Sequence, residues 1–334
     1  MGGRHFVKSA CHLISVLENS EYLERKSACR TLRASTAQQL RNTRNAQSNP
    51  YKEAIRQAPR EVTPQNVQAM WQLFAPAHLA RSHQAPRIIR DHRYGVHDRQ
   101  RLDVHLPAEG PPQGAPVFLF VQGGGFVAGD KQTEGTPYYD HVGTWAVANG
   151  MVGVTMNYRL APGDSWPAGA EDVAAAVVWL REHVSEAGGN PERIIVMGHS
   201  AGASHVAGYL VGHGGRSPQI AGAVLLSGIY DLQGIEKSPV VSAYYGADPI
   251  AYPERQSLTG LVDVELPVLY GIAQYDPPDL HRQAGLLIAA HQTRHGVLPR
   301  FIQVEGHNHV SEIVSLGIDD AILSAALLQF IDSI

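Results

Sequence analysis

The stretch that most constrains this chain is Gly198-His199-Ser200-Ala201-Gly202. Before it stands Arg193-Ile194-Ile195-Val196-Met197, an apolar and largely β-branched run of strand length. After it, from Ala201 to Val211, come small and apolar residues at helix-like spacing. A strand that ends on G-x-S-x-G and passes straight into a helix must turn so tightly that glycine is required at both ends of the turn. Such a turn lifts the Ser200 hydroxyl clear of the sheet. It also sets that hydroxyl at a helix N-terminus, where the Ala201 N–H lacks an intrahelical partner and can bind a developing anion. Ser200 is therefore a candidate nucleophile. On the pentapeptide alone, the rival reading is a purely structural glycine turn.

The rest of the chain supplies the frame for such a turn. Residues 87–94 and 100–106 read as two strands of a hairpin about the turn signal Gly95-Val96-His97-Asp98. Ala115–Val121 and Met151–Tyr158 are continuous apolar runs, as expected of strands buried on both faces. Further strands are expected at 220–227, 266–272 and 298–304. Helices are expected at 138–148, 170–183 and 319–331. This alternation predicts a doubly wound α/β fold with a mostly parallel sheet and an antiparallel N-terminal edge hairpin. Ahead of it, Thr63-Pro64 opens a helix, with Val67, Met70, Trp71 and Phe74 along one face. That helix can serve as part of a small cap over the site, or as core against the sheet. The expected division is a basic extension over 1–50, a helical cap segment over 51–85 and a catalytic domain over 86–334.

In a sheet of this kind, ligands bind beyond the carboxyl ends of the strands. Four of those ends carry chemistry. Gln122-Gly123-Gly124-Gly125 follows one strand, and bare glycine N–H groups there, with Ala201 N–H, would complete an oxyanion hole. A phosphate cradle would call for a helix with Lys-Ser/Thr, and Phe126-Val127-Ala128-Gly129-Asp130 stands there instead. Ser200 follows the next relevant strand. Asp276 follows Leu266–Ile272, placed to orient an imidazole; Asp279 is expected to cap the next helix, and Asp263 falls at the opposite end of its strand. His307 and His309 follow the last strand, and either could take the Ser200 proton. The order Ser–Asp–His is that of α/β-hydrolases. His199 reads as a packed elbow residue. His291 and His295, four apart on a helix, lack a nearby third ligand and read as surface residues rather than a zinc site.

Charge separates the extension from the body. Residues 1–60 hold 11 Lys and Arg against 4 Asp and Glu, and the remainder 16 against 27, for a net charge of -4. That balance gives no reason to expect nucleic acid as a partner. No run of 18 apolar residues is present, so no membrane span is expected. Both cysteines, Cys11 and Cys29, lie in the extension and do not read as a disulfide framework; free thiols are expected, with a single bridge within the extension as the alternative. The extension lacks a closed secretion signal, and a cytoplasmic location is expected.

Several stretches resemble one family: Gln122–Asp130, Asn157-Tyr158-Arg159-Leu160-Ala161-Pro162, Trp166-Pro167-Ala168, Gly198–Gly202, Asp276-Pro277 and His307-Asn308-His309. Over residues 85–334 the chain resembles the hormone-sensitive-lipase-like carboxylesterases of the α/β-hydrolase fold, near the feruloyl-esterase-like and kynurenine-formamidase-like branch. The resemblance implies Ser200 as nucleophile, Asp276 as acid and His309, rather than His307, as base. It implies the N–H groups of Gly124, Gly125 and Ala201 as the oxyanion hole, and Arg159 and Asp172 as supports of the fold. The chain departs from the family twice. Gln122 stands where the glycine loop normally begins with His, and His199 stands where the elbow normally carries Asp or Glu.

The expected activity is that of a serine carboxylesterase on small short-acyl or aryl esters, with no cofactor and no metal. Aryl-formamide, amide or lactone hydrolysis on the same residues is the near alternative, and a non-catalytic ligand binder is the remote one. Phe126 and Tyr230 are the expected pocket residues, with Trp166, Tyr244 and Tyr245 as further aromatic candidates. The expected partner is a small-molecule ester, and a homodimer through an edge strand is compatible with the pattern.

Overall fold

Strand β3 (Ala115–Val121) shows how the core is divided. Phe118 and Phe120 point to one side with Ile195 and Met197 of β5 (Gly189–His199). Val117, Leu119 and Val121 point to the other side with Ile194 and Val196. This period-two alternation, apolar on both faces, is what buries a parallel strand between two helical layers. The other strands are β1 (Arg87–Arg93), β2 (Arg101–Leu106), β4 (Val152–Met156), β6 (Gly222–Leu226), β7 (Val268–Ala273) and β8 (Arg300–Val304). They form one sheet in the order β1-β2-β4-β3-β5-β6-β7-β8. The β1–β2 and β2–β4 pairs are antiparallel and all later pairs parallel, as the hairpin and the buried runs predict. This computed structural model describes residues 51–81, 87–109, 113–233, 238–318 and 321–334. The expectations for the 1–50 extension and its two cysteines lie outside the described residues.

Helices cover both faces. On the Phe118 side lie α1 (Lys52–Gln57), α2 (Pro64–Leu79), α3 (Asp140–Ala148), α10 (Ser311–Val314) and α11 (Ala321–Asp332). On the Val117 side lie α4 (Ala168–His183), α5 (Ala201–Leu210) and α9 (Pro278–His295). Three short helices, α6 (Pro239–Tyr245), α7 (Tyr252–Arg255) and α8 (Leu258–Leu261), connect β6 to β7.

Helix α2 starts as its sequence dictates. Thr63 Oγ1 accepts from Asn66 N at 3.2 Å, and Pro64 occupies the first turn. Its face at Met70 and Phe74, together with Ile55 of α1, is buried in the layer that holds Tyr138 and Trp145. Arg60, between the two helices, lies 5.7 Å from the centre of the Tyr275 ring, one residue before Asp276. The segment over the glycine loop is α6, whose Val240 side chain is 3.6 Å from the point a Cβ on Gly125 would occupy.

Candidate active site

The strand–turn–helix around Ser200 has the form its sequence requires. Ser200 sits at φ 57° and ψ -123°, a conformation that non-glycine residues rarely adopt and that costs about 1–3 kcal/mol. Two hydrogen bonds hold it there: Ser200 N–H donates to Leu226 O of β6 at 2.9 Å, and Ser204 N–H donates to Ser200 O at 3.2 Å. A Cβ on Gly202 would lie 2.1 Å from Val121 O, and one on Gly198 would lie 2.5 Å from Gly202 O. Both glycines are thus demanded by close backbone approach. The Ser200 side chain is left half-buried at the head of α5.

Two loops bring its partners. After β7, Asp276 turns back so that its Oδ2 accepts from Ala273 N–H at 2.9 Å. After β8, the 305–309 loop is tied to the 274–276 loop. Gly306 N–H donates to Gln274 Oε1 at 2.7 Å, and Tyr275 N–H donates to His307 O at 2.8 Å. Asn308 Oδ1 accepts from Ser311 N–H at 2.9 Å and so starts α10 directly behind His309. The outcome is a linear array. His309 Nδ1 lies 2.7 Å from Asp276 Oδ1, and His309 Nε2 lies 2.8 Å from Ser200 Oγ. His307 points elsewhere: its Nδ1 lies 3.1 Å from Ser311 Oγ, and its side chain is buried.

Burial of Asp276 opposes its charge. The charge of His309 and its hydrogen bond, the Ser227 hydroxyl and the Ala273 N–H together outweigh that penalty and hold the carboxyl below its ordinary value. His199 is the reverse case. Burial, and then the neighbouring His309, lower it to about 3, so it is a neutral ring whose Nε2–H donates to His309 O at 2.8 Å.

The glycine loop is braced without a histidine at its start. Tyr158 OH donates to Gln122 O at 3.1 Å, and Lys131 N–H donates to Asn157 Oδ1 at 2.6 Å. Asn157 Nδ2 donates in turn to Asp130 Oδ1 at 3.0 Å. Gly124 and Gly125 take φ of +136° and +60°. Their N–H groups and that of Ala201 donate to no backbone acceptor among the described residues. Arg159 supports this end of the sheet through Asp172, with Nε to Oδ1 at 2.9 Å and the backbone N–H to Oδ2 at 2.7 Å.

Phe126 stacks on Tyr244 with ring centres 4.8 Å apart and planes 6° apart, in an apolar cluster that includes Ala201 and Tyr245. Trp166 is partly buried at the margin of that cluster. Tyr230 lies in the Val117 layer, edge-on to Tyr270 at 6.5 Å. Asp279 falls inside the first turn of α9, after Pro277 at the cap, so it faces the helix dipole without making a cap bond. Asp263 pairs with Arg294 at 2.8 Å on the surface. His291 and His295 each face a backbone carbonyl, Val297 O and Val262 O.

Two residues that the sequence reading passes over stand behind Asp276. Ser227, at the end of β6, lies 2.6 Å from Asp276 Oδ2 and 2.5 Å from Glu312 Oε1. Glu312, on α10, is fully buried and also lies 3.2 Å from His199 Nε2. Side-chain nitrogen and oxygen atoms of His199, His309 and Glu312 come within 4.8 Å of one another. They face the Ser200, Asp276, Ser227 and His309 O groups just described.

Residues 118–266 match a family described as having the alpha/beta hydrolase fold. The topology and the strand-end array agree with that match. The chain has the α/β-hydrolase fold. The chain is 27% identical over 265 residues to the kynurenine formamidase of Danio rerio, a match covering 75% of this chain and 84% of that protein. It is 43% identical over 101 residues to esterase LipI of Mycobacterium tuberculosis, covering 30% of each. The chain thus spans most of the formamidase but under a third of the mycobacterial esterase. Among solved structures, esterase B of Lactobacillus rhamnosis superposes with a TM-score of 0.62 at 16% identity, covering 84% of this chain and 95% of that one. The Pyrobaculum calidifontis esterase does so with a TM-score of 0.60 at 23% identity, covering 86% and 98%. At these identities the structural likeness is one of fold. Together the matches agree with the resemblance to hormone-sensitive-lipase-like carboxylesterases. Among the described residues, no helix is long and apolar enough to cross a membrane.

Proposed function

We propose that this chain is a serine carboxylesterase acting on small short-acyl or aryl esters, with Ser200 as nucleophile, His309 as base and Asp276 as its orienting acid. The observation that carries this reading is the pair of contacts at His309: 2.8 Å to Ser200 Oγ on one ring nitrogen and 2.7 Å to Asp276 Oδ1 on the other. Ser200 Oγ attacks the ester carbonyl carbon while its proton passes to His309 Nε2. Asp276 accepts from Nδ1 and stabilises the imidazolium. The carbonyl oxygen becomes an oxyanion facing the N–H groups of Gly124, Gly125 and Ala201, each donor contributing about 3–4 kcal/mol. The C–O bond then breaks, and the leaving alcohol takes the proton from Nε2. Water attacks the acyl-Ser200 with His309 again as base, releasing the carboxylic acid and restoring the hydroxyl. The Phe126–Tyr244–Tyr245 cluster beside Ala201 is the proposed wall for the substrate's apolar part. Tyr230, packed on Tyr270, would shape the site from below rather than by direct contact.

A burst assay with p-nitrophenyl acetate tests this. Wild type is expected to show a rapid acylation burst and turnover, lost in both Ser200→Ala and His309→Ala. A folded wild type with neither burst nor turnover on esters overturns the ester reading. The match to a formamidase along 84% of its length favours a second reading, aryl-formamide hydrolysis on the same residues. There His309 would hand its proton to an amine. Comparing kcat/KM for aryl acetates and an aryl formamide on one preparation separates the two.

A further inference from the structure

The contacts of Ser227 pose a counting problem. Its oxygen lies 2.6 Å from Asp276 Oδ2 and 2.5 Å from Glu312 Oε1, and both are hydrogen-bond distances. A serine hydroxyl has one proton to give, and two ionised carboxylates have none. The second bond therefore needs a proton from one of the acids. Asp276 is already the acceptor of Ala273 N–H at Oδ2 and faces His309 Nδ1 at Oδ1. Glu312 is poorer in donors: among the described residues its Oε2 has no partner, and its Oε1 meets Ser227 and, at 3.2 Å, His199 Nε2, whose N–H is already given to His309 O at 2.8 Å.

We propose that Glu312 and Ser227 form a proton-holding brace behind Asp276: Glu312 carries the second proton and donates it to Ser227, and the Ser227 hydroxyl donates to Asp276 Oδ2. The inference rests on the proposed roles of Ser200, His309 and Asp276 and extends them. Ser227 and Glu312 touch no substrate; they are positioning residues, acting through Asp276. Ser227 is held for this task at φ +51°, a strained conformation for a serine, with its N–H donating to Gly271 O at 2.9 Å. The groups facing Glu312 are Ser227 from the end of β6, Tyr230 just after it, Asp276 from the loop after β7, His199 from β5 and His309 from its own loop. Burial first, and then the Asp276 charge, push the Glu312 carboxyl well above its ordinary value, in agreement with the proton count. With Glu312 neutral, one negative charge stands behind the imidazolium instead of two. The brace also fixes the plane of the Asp276 carboxylate, and with it the direction in which His309 Nε2 points.

The test is the acidic limb of the pH profile of kcat/KM, with infrared difference spectroscopy as a readout independent of activity. Glu312→Gln replaces the O–H donor by an N–H donor, so the bonds through Ser227 survive. This variant is expected to stay active, with its acidic limb within about 0.3 pH unit of wild type, because no charge has been removed. Ser227→Ala strips a donor from Asp276, makes it more basic, and is expected to raise the limb by about half a unit or more. In the wild type at pH 7.5, a deuterium-sensitive protonated-carboxyl C=O band is expected that Glu312→Gln lacks. An ionised Glu312 would give the opposite results. Its loss in Glu312→Gln would lower the limb by about one unit or more, since an ionised group within 4.8 Å of the imidazole would have been removed. The carboxyl band would also be absent from the wild type. Either result overturns the brace. Loss of activity in Ser200→Ala and His309→Ala is judged separately, so failure of the brace is distinguishable from failure of the esterase reading. The infrared band needs no substrate at all.

Discussion

Adding one methyl group to either glycine of the proposed oxyanion loop should have very different consequences. A Cβ on Gly124 would lie 2.0 Å from Ala128 O and 2.5 Å from its carbonyl carbon, and φ there is +136°. Relief to even a tight 3.0 Å contact needs about 1 Å of backbone movement. That movement works against the bonds that shape the loop, Ala128 N–H to Gly124 O at 3.0 Å and Val127 N–H to the same oxygen at 3.3 Å. A displacement of about 1 Å in a positioned group costs on the order of 10²-fold in rate, and loss of one oxyanion donor costs about 10²–10³-fold. Gly124→Ala is therefore expected to lower kcat for p-nitrophenyl acetate by about 10²–10³ with little change in KM, because the neutral ground state makes no use of the hole. At Gly125 the nearest atoms to an added Cβ are Val240 side-chain carbons at 3.6–3.7 Å, an ordinary contact. Its φ of +60° lies in the left-handed region, so alanine costs about 1–2 kcal/mol of stability there. Gly125→Ala should show that loss in urea unfolding, with kcat reduced less than about tenfold. If Gly124→Ala melts like wild type and keeps kcat within about threefold of it, the loop does not hold the oxyanion and the argument from its geometry fails.

His309→Ala should lower kcat by at least about four orders of magnitude. His307→Ala should leave kcat within about tenfold and show its effect in the melting temperature instead, because it loses the buried Ser311 contact. Arg159→Ala removes the guanidinium from the fully buried Asp172, leaving it only Gln100 Nε2–H and the backbone N–H of residue 159 as donors, and should cost about 3 kcal/mol in urea unfolding; lysine should not restore it, since an ammonium cannot fork across Asp172 and Glu171. Acid should unfold the protein from about pH 6.5 downward, before the carboxylates titrate. Burial lowers His78 and His105 to about 4, His199 and His205 to about 3, and His141 well below its ordinary value. These rings stay neutral in the fold while the unfolded chain binds protons below about pH 6.5, so the stability they contribute is lost as pH falls toward their folded values. Urea midpoints at pH 7.5, 6 and 5 check this, and a midpoint unchanged down to pH 5 would refute it.

The parts of this molecule legible in its sequence are those set by local pattern. Continuous apolar runs placed the interior parallel strands to within a few residues, because a strand buried on both faces admits almost nothing else, while β2 was read from its hairpin. The G-x-S-x-G turn, Asp276 and the His307–His309 pair were legible as candidates for a second reason: each follows a strand, and topology carries those ends to one edge of the sheet, while the choice of His309 came from the resemblance. The α6–α8 region was harder to read, as helices of four to seven residues carry too little periodicity to be distinguished from loop. The fate of the α2 face was left open for a physical reason as well. Val67, Met70, Trp71 and Phe74 make the same stripe whether it covers a cleft or a sheet, and only the three-dimensional neighbours Tyr138 and Trp145 show how it is used.

Glu312 and Ser227 were hidden by distance along the chain. Ser227 meets Glu312 across 85 positions and Asp276 across 49. A glutamate three residues after a histidine reads as a solvent-facing residue until α10 turns it inward. Their position also gives a reason for the departure at the elbow, where the resemblance implies an acid and this chain carries His199. An acid at 199 would stand where the His199 ring lies 3.2 Å from Glu312, adding a third carboxyl to a buried cluster that already contains Asp276. Two carboxyls can share one proton through Ser227; a third would have to be protonated as well or repel both. A neutral imidazole avoids that charge and still donates to His309 O at 2.8 Å, fixing the backbone of the proposed base. On this argument the histidine at 199 and the glutamate at 312 are one solution, and His199→Glu should be tolerated only when Glu312 is replaced as well.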